Sequence, residues 1–117
     1  MIHVVLDCRE PAALAEFWAF ALGYRVAHAE GVFVMLVPEE GPGPPLLLQR
    51  VPGPKTGKNR MHVDIPSEDI EATAERLVAH GATRLSREPL EELGARWITL
   101  ADPEGNEFDV VMSVAAE

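Results

Sequence analysis

Apolar and polar positions along the chain follow one order of segments twice. Each copy opens with a short run rich in β-branched residues, continues with a helical stretch and closes with three further short runs. Apolar residues recur at helical spacing at Leu14, Phe17, Trp18, Ala21 and Leu22, and again at Ile70, Thr73, Ala74, Leu77 and Val78. The pattern predicts an α+β fold of two tandem β-α-β-β-β modules that form a curved mixed β-sheet cleft, with the helices outside.

Turn-forming residues give the limits of these segments. A glycine follows each helical stretch, as expected at a C′ position, and Ser67 is the predicted N-cap of the second helix. The strands are predicted at 2–7, 24–29, 32–37, 46–51, 60–65, 83–87, 95–100 and 107–112. The stretch 52–59 (PGPKTGKN) is a predicted linker, so one domain, 1–117, divides into modules of about 1–51 and about 60–117.

Strand alternation places four polar residues on the faces that turn away from the helices. Successive side chains of a strand point to opposite sides, so His3 and His62 oppose the apolar residues of the two opening strands. Gln49 and Asp109 hold similar places in the two closing strands. If both sheets curve around a shared cleft, these four side chains converge.

The four side chains together suit a divalent cation. Two imidazoles, one carboxylate and one amide oxygen are donors for Zn, Fe, Ni or Mn. An offset of 59 residues relates His3 to His62, and an offset of 60 relates Gln49 to Asp109, so the repeat itself supports the cluster. The alternative is that each histidine is a polar residue on a solvated strand face.

Further residues near the predicted cluster are candidates for substrate chemistry. Asp109 and Asp64 are the candidate catalytic residues. Asp7, near the same face, is a candidate to bind substrate, and Asp64 or Asp7 is the candidate to take up a proton. Arg60 ends a short basic cluster and is a candidate to bind a substrate carboxylate or phosphate, although such clusters are more often solvated loops. Trp97 either lines the site or packs as an ordinary strand aromatic.

Composition narrows the classes of partner and compartment. The net charge of −9 disfavours nucleic acid, because phosphates would be repelled, and is compatible with a cationic ligand or simply with solubility. The single cysteine, Cys8, excludes an internal disulfide. The N-terminus lacks the features of a signal peptide, and no apolar run approaches the roughly 20 residues of a membrane helix. These features predict a cytoplasmic protein without membrane contact.

Three stretches of the chain resemble a known superfamily. They are LDCREPAALAEFWAFALG (6–23), LLLQRVPGPKTGKNRMHVDI (46–65) and ITLADPEGNEFDV (98–110). With them the chain resembles the glyoxalase/bleomycin-resistance/extradiol-dioxygenase proteins, also called vicinal oxygen chelate proteins, and in particular their glyoxalase-like subgroup. The resemblance covers nearly the whole chain and implies a small-molecule site between two modules, together with a homodimer.

The resemblance also implies roles for individual residues. His3 and His62 match the ligands in the opening strands, Asp109 takes the place of the metal-binding glutamate, and Gln49 stands where glyoxalase I has glutamate. A neutral Gln49 cannot act as a general base, so the isomerase activity of glyoxalase I itself is not expected.

Two functions follow as hypotheses. The first is a divalent-metal-dependent lyase, isomerase or dioxygenase that acts on a small oxygenated metabolite. The second is a metal-free binding protein, similar to bleomycin-resistance proteins, that sequesters a cationic small molecule. A ligand-sensing module without chemistry is a third hypothesis.

Overall fold

The chain forms an α+β structure with two mixed β-sheets and two helices. A computed structural model describes residues 2–59, 61–92 and 94–114. It divides into a first unit, Met1–Lys55, and a second unit, Thr56–Glu117. Each unit contains one helix and one sheet, which confirms the α+β prediction.

The first unit has a four-stranded sheet and one helix. Its elements are β1 (Val4–Cys8), α1 (Pro11–Leu22), β2 (Tyr24–Glu30), β3 (Phe33–Pro38) and β4 (Leu46–Arg50). The strand order is β1-β4-β3-β2, with β1 parallel to β4 and the other neighbours antiparallel.

Helix α1 packs against this sheet through the apolar stripe that the sequence predicts. Proline at the first helical position is compatible with the missing N–H there, and Gly23 ends the helix in the left-handed region at φ 70°. Phe17 and Trp18 are buried with their rings edge to face, 5.3 Å apart between centroids. Leu36 and Leu48, both fully buried, complete the core on the sheet side.

The second unit has a five-stranded sheet and one helix. Its elements are β5 (Asp64–Pro66), α2 (Ile70–Ala79), β6 (Thr83–Arg84), β7 (Leu90–Glu92), β8 (Ala95–Ala101) and β9 (Glu107–Ser113). The strand order is β5-β9-β8-β6, β7 pairs with β8, and β5 runs parallel to β9. Its core comprises Ile70, Ala74, Leu77, Ile98, Leu100, Phe108 and Val110.

Several predicted boundaries of the second unit were wrong. The N-cap of α2 is Asp69, whose side chain accepts from the Ala72 N–H at 3.0 Å, whereas Ser67 Oγ bonds to Thr73 Oγ1 at 2.7 Å.

Two predicted strands of the second unit are shorter in the structure. The first strand begins at Asp64 rather than near 60, and the predicted strand at 83–87 shortens to β6. Strand β7 was not predicted, because Leu90–Glu92 is too short and too charged to show alternation.

No helix within the described ranges is long and apolar enough to cross a membrane. Arg60, the predicted substrate-binding residue, lies outside the described residues.

Candidate metal centre

Three polar side chains of the second unit meet at one point. His62 Nε2 lies 3.2 Å from Asp64 Oδ1 and 3.1 Å from Asp109 Oδ2. One ligand atom from each residue lies within 4.8 Å of the others. Within the described part of the chain, this is the one group of three or more His, Cys, Asp or Glu side chains with ligand atoms so close together.

Strand pairing explains why these residues meet. Strand β5 runs parallel to β9 with Asp64 directly opposite Asp109, so both carboxylates leave the sheet on the same side. His62 stands two residues before Asp64, and the backbone between them is tied to β9 by the Asp109 N–H, which donates to Val63 O at 3.1 Å. Phe108 and Val110 flank Asp109 in β9 and are fully buried, so alternation directs Asp109 to the other face.

Exposure is graded across the cluster. The side chain of Asp109 is 16% exposed, that of His62 is 44% exposed and that of Asp64 is 58% exposed. Thr99 Oγ1 donates to Asp109 Oδ1 at 2.8 Å, and Thr99 lies directly opposite Asp109 in the β8–β9 pair. The two oxygens of Asp109 therefore have different partners: Oδ1 accepts from Thr99 and Oδ2 faces His62.

The donor set and its spacing fit a divalent cation. Imidazole nitrogen and carboxylate oxygen bind such ions at about 2.0–2.2 Å, so neighbouring ligand atoms around one ion lie about 2.8–3.6 Å apart, depending on the coordination geometry. The two distances from His62 Nε2 fall in this range. The same spacing suits an imidazole N–H that donates to the carboxylates, so cation and proton compete for one position.

In the first unit, Asp7 rather than His3 lies beside Gln49. Asp7 is directly opposite Gln49 in the parallel β1–β4 pair, and both residues are exposed. His3 is exposed and precedes the first residue of β1. By register, Asp7 is therefore the counterpart of Asp64, and Val5 is the counterpart of His62.

The connection between strand and helix accounts for this shift. Asp7 lies four residues before the first residue of α1, whereas Asp64 lies six residues before the first residue of α2. The offset of 59 that relates the two histidines also relates Trp18 to Leu77 in the helices, but the strands before them are offset by 57, because the second unit has two additional residues between strand and helix.

Trp97 lies on the same face of the second sheet as His62, Asp64 and Asp109, which we call the acidic cluster. It is half-buried, it stands two residues before Thr99 in β8, and it pairs directly with Val111. The next row on this face, two register pairs beyond the carboxylates, consists of apolar residues: Pro66, Val111, Trp97 and Leu90. An apolar surface thus adjoins the carboxylates.

Two contacts near the cluster were not predicted from the sequence. Thr99 was not singled out, although counting outward in equal steps from the Asp102–Asn106 turn places it opposite Asp109. Asn59 is tied to the start of β9, because its N–H donates to Glu107 Oε1 and its Nδ2 donates to the Glu107 carbonyl, both at 3.1 Å. This second contact joins residues far apart in sequence and left no local signal.

Comparison with known proteins covers almost the entire chain. A family model described as the glyoxalase-like domain matches residues 3–111. No curated protein matches the chain.

Solved structures with this architecture are numerous but distant in sequence. A glyoxalase/bleomycin resistance protein/dioxygenase family enzyme from Burkholderia phytofirmans PsJN is 16% identical, with a TM-score of 0.79 over 95% of this chain and 96% of that one. A glyoxalase/bleomycin resistance protein/dioxygenase from Nocardioides is 22% identical, with a TM-score of 0.71 over 98% and 83%. The fosfomycin resistance protein FosX from Mesorhizobium loti is 16% identical, with a TM-score of 0.72 over 97% and 91%.

At these identities the structural likeness shows a shared fold, and the family model adds a match in sequence along most of the chain. The chain therefore belongs to the glyoxalase-like domain family.

Proposed function

We propose that this protein is a divalent-metal-dependent enzyme that acts on a small oxygenated metabolite. The observation that carries the proposal is the 3.1 Å spacing between His62 Nε2 and Asp109 Oδ2, which suits neighbouring ligands of one cation, with the carboxylate of Asp64 3.2 Å from the same nitrogen. His62 and Asp109 would hold the ion, which could be Zn, Fe, Ni or Mn.

The exposure of each side chain in the cluster suggests a different proposed role for it. A bound cation supplies Lewis acidity toward substrate oxygens. Asp109, the least exposed of the three, serves as a fixed anionic ligand because Thr99 holds its other oxygen. Asp64, the most exposed, would accept a proton from the substrate and return it. The proposal covers lyase, isomerase and dioxygenase reactions.

The remaining predicted residues stay predictions. His3 and Gln49 are expected to add ligands, and Asp7 and Arg60 are expected to contact substrate. Trp97 gains support as a substrate contact, because the apolar row that contains it adjoins the carboxylates. Single alanine variants at these positions, each titrated with metal and with candidate substrates, separate ligands from substrate contacts.

A metal-free binding function is the second candidate, and one observation favours it. His62 Nε2 already lies within hydrogen-bond distance of two carboxylates, so the imidazole has partners without an ion. The net charge of −9 then attracts a cationic small molecule, and several structural neighbours carry bleomycin resistance in their names. In that case the carboxylates of the acidic cluster would bind the organic cation directly.

Calorimetric titration of tag-free, chelator-treated protein with Zn²⁺, Fe²⁺ (without oxygen), Co²⁺, Ni²⁺ and Mn²⁺ separates the two candidates. We expect one ion per chain, and we expect His62→Ala to weaken binding by more than the roughly 10- to 100-fold typical of an outer hydrogen-bonding partner. His28→Ala is the matched control, because His28 pairs with a single carboxylate, Glu30, at 2.8 Å and is also exposed. Wild-type protein that takes up none of these ions would refute the enzyme proposal and support the binding protein.

The assembly and compartment also stay predictions. The resemblance implies a homodimer, and the composition predicts a cytoplasmic location. Light scattering coupled to size-exclusion chromatography measures the mass in solution and tests the dimer directly.

A further inference from the structure

Thr99 adjoins the acidic cluster, and its hydroxyl donates to Asp109 Oδ1. We propose that Thr99 is a positioning residue, which holds Oδ1 of Asp109 so that Oδ2 is directed at His62 and at a bound cation. This inference rests on the proposed function of His62 and Asp109 as a cation site.

The geometry divides the two oxygens of one carboxylate between two partners. Thr99 Oγ1 lies 2.8 Å from Asp109 Oδ1, and His62 Nε2 lies 3.1 Å from Asp109 Oδ2. Rotation about the last side-chain bond of aspartate is broad and roughly two-fold, so a carboxylate with one free oxygen has no fixed plane. A hydroxyl that donates to the charged oxygen makes a strong hydrogen bond and selects one orientation.

The backbone of Thr99 is held by hydrogen bonds to Leu85 and Ser86. The Thr99 N–H donates to Ser86 Oγ at 2.9 Å. The Thr99 carbonyl accepts from the N–H groups of Leu85 at 2.8 Å and of Ser86 at 3.2 Å. Threonine is β-branched and stiff at χ1, so a fixed backbone largely fixes the hydroxyl. The donor is therefore in place before any ion arrives, which is what a positioning residue requires.

A purely structural role makes a different prediction. Thr99→Val keeps the shape and the strand preference of threonine and removes only the hydroxyl, so the sheet should remain intact. If Thr99 only stabilises the sheet, Thr99→Val lowers the free energy of unfolding and leaves cation affinity unchanged. If Thr99 orients Asp109, affinity falls by about tenfold and Thr99→Ser restores most of it, because serine retains the donor.

The test uses the full chain with Co²⁺ as the probe, followed by calorimetry and by the visible absorption bands of the bound ion. We expect Thr99→Val to bind about tenfold more weakly than wild type with shifted bands, and Thr99→Ser to resemble wild type. Thr83→Val is the matched control, since Thr83 lies on the same sheet in β6, is exposed and pairs with Ala101 rather than with the cluster. Thr99→Ala is a second variant without the hydroxyl and serves if the valine variant does not fold.

The outcomes separate this inference from the proposed function. If wild-type protein binds Co²⁺ and both Thr99→Val and Thr99→Ala bind it with the same affinity, the proposed role of Thr99 is overturned. The proposed cation site is not affected by that result. Wild-type protein that does not bind Co²⁺ or the other ions would overturn the cation site and the role of Thr99 with it.

Discussion

The turn between β8 and β9 offers a sharp test of how this chain fixes its register. Asp102 is 2% exposed, and its Oδ1 accepts from the N–H of Glu104 at 2.9 Å, the N–H of Asn106 at 2.9 Å and Asn106 Nδ2 at 3.1 Å. The same amide nitrogen also lies 3.0 Å from Oδ2. Because β9 begins at Glu107, this turn decides which residue of β8 lies opposite Asp109.

Replacing Asp102 by alanine should be strongly destabilising. The N–H and the side-chain amide of Asn106, a residue only 7% exposed, would lose their acceptor. A hydrogen bond to a charged group contributes about 1.5–3 kcal/mol, and a buried donor without a partner costs about 1–3 kcal/mol. The N–H of Glu104 belongs to a half-buried residue and can bind water, so it adds little. We expect the free energy of unfolding to fall by about 3–4 kcal/mol.

Urea unfolding followed by circular dichroism measures this loss. The control is Asp69→Ala, which removes an exposed N-cap with one hydrogen bond to the Ala72 N–H and should cost about 1 kcal/mol. A loss for Asp102→Ala no larger than that of the control would refute the argument that this carboxylate holds the turn. Cation affinity of the Asp102 variant should fall as well, because a slip of one residue moves Asp109 to the helix side of the sheet.

Two further predictions concern the periphery of the fold. The hydrogen bond from Arg84 lowers the pKa of Glu71 below its ordinary value of 4.5, so this pair should stabilise the protein above that pH and lose its effect as the pH falls through the lowered pKa. Urea midpoints measured across that range should fall more steeply for wild type than for Glu71→Gln, and equal slopes would contradict the prediction. Gly23→Ala should destabilise by about 1 kcal/mol because φ is +70° there, whereas Gly31→Ala, with no positive φ and open space around its Cβ position, should have almost no effect in thermal melts.

Much of the face assignment could be read from alternation alone. Leu46 and Leu48 are buried whereas Gln49 is exposed, and Phe108 and Val110 are buried on either side of Asp109. Such assignments succeed because the burial of one sheet face imposes a period of two on each strand. Helix α1 was predictable for the same kind of reason, since its apolar stripe must face a sheet.

The partners across strands could be read only in part. A hairpin has one turn, so the pairing of Thr99 with Asp109 follows from the Asp102–Asn106 turn by counting. The parallel pair β5–β9 has no such turn, because a helix and three strands separate its members. Its register depends on how α2 packs and on the length of the connection before it, and neither quantity is a property of either strand.

The amino-acid sequence by itself determined the α+β class, the repeated order of elements and the side of the sheet on which His62, Asp64 and Asp109 lie, because each of these follows from local periodicity. Only the tertiary structure decided that Asp64 joins His62 and Asp109, that Asp7 lies beside Gln49, and that Thr99 holds the carboxylate. The physical reason is that contact between parallel strands depends on a register set by packing at a distance, which a pattern along one strand does not contain.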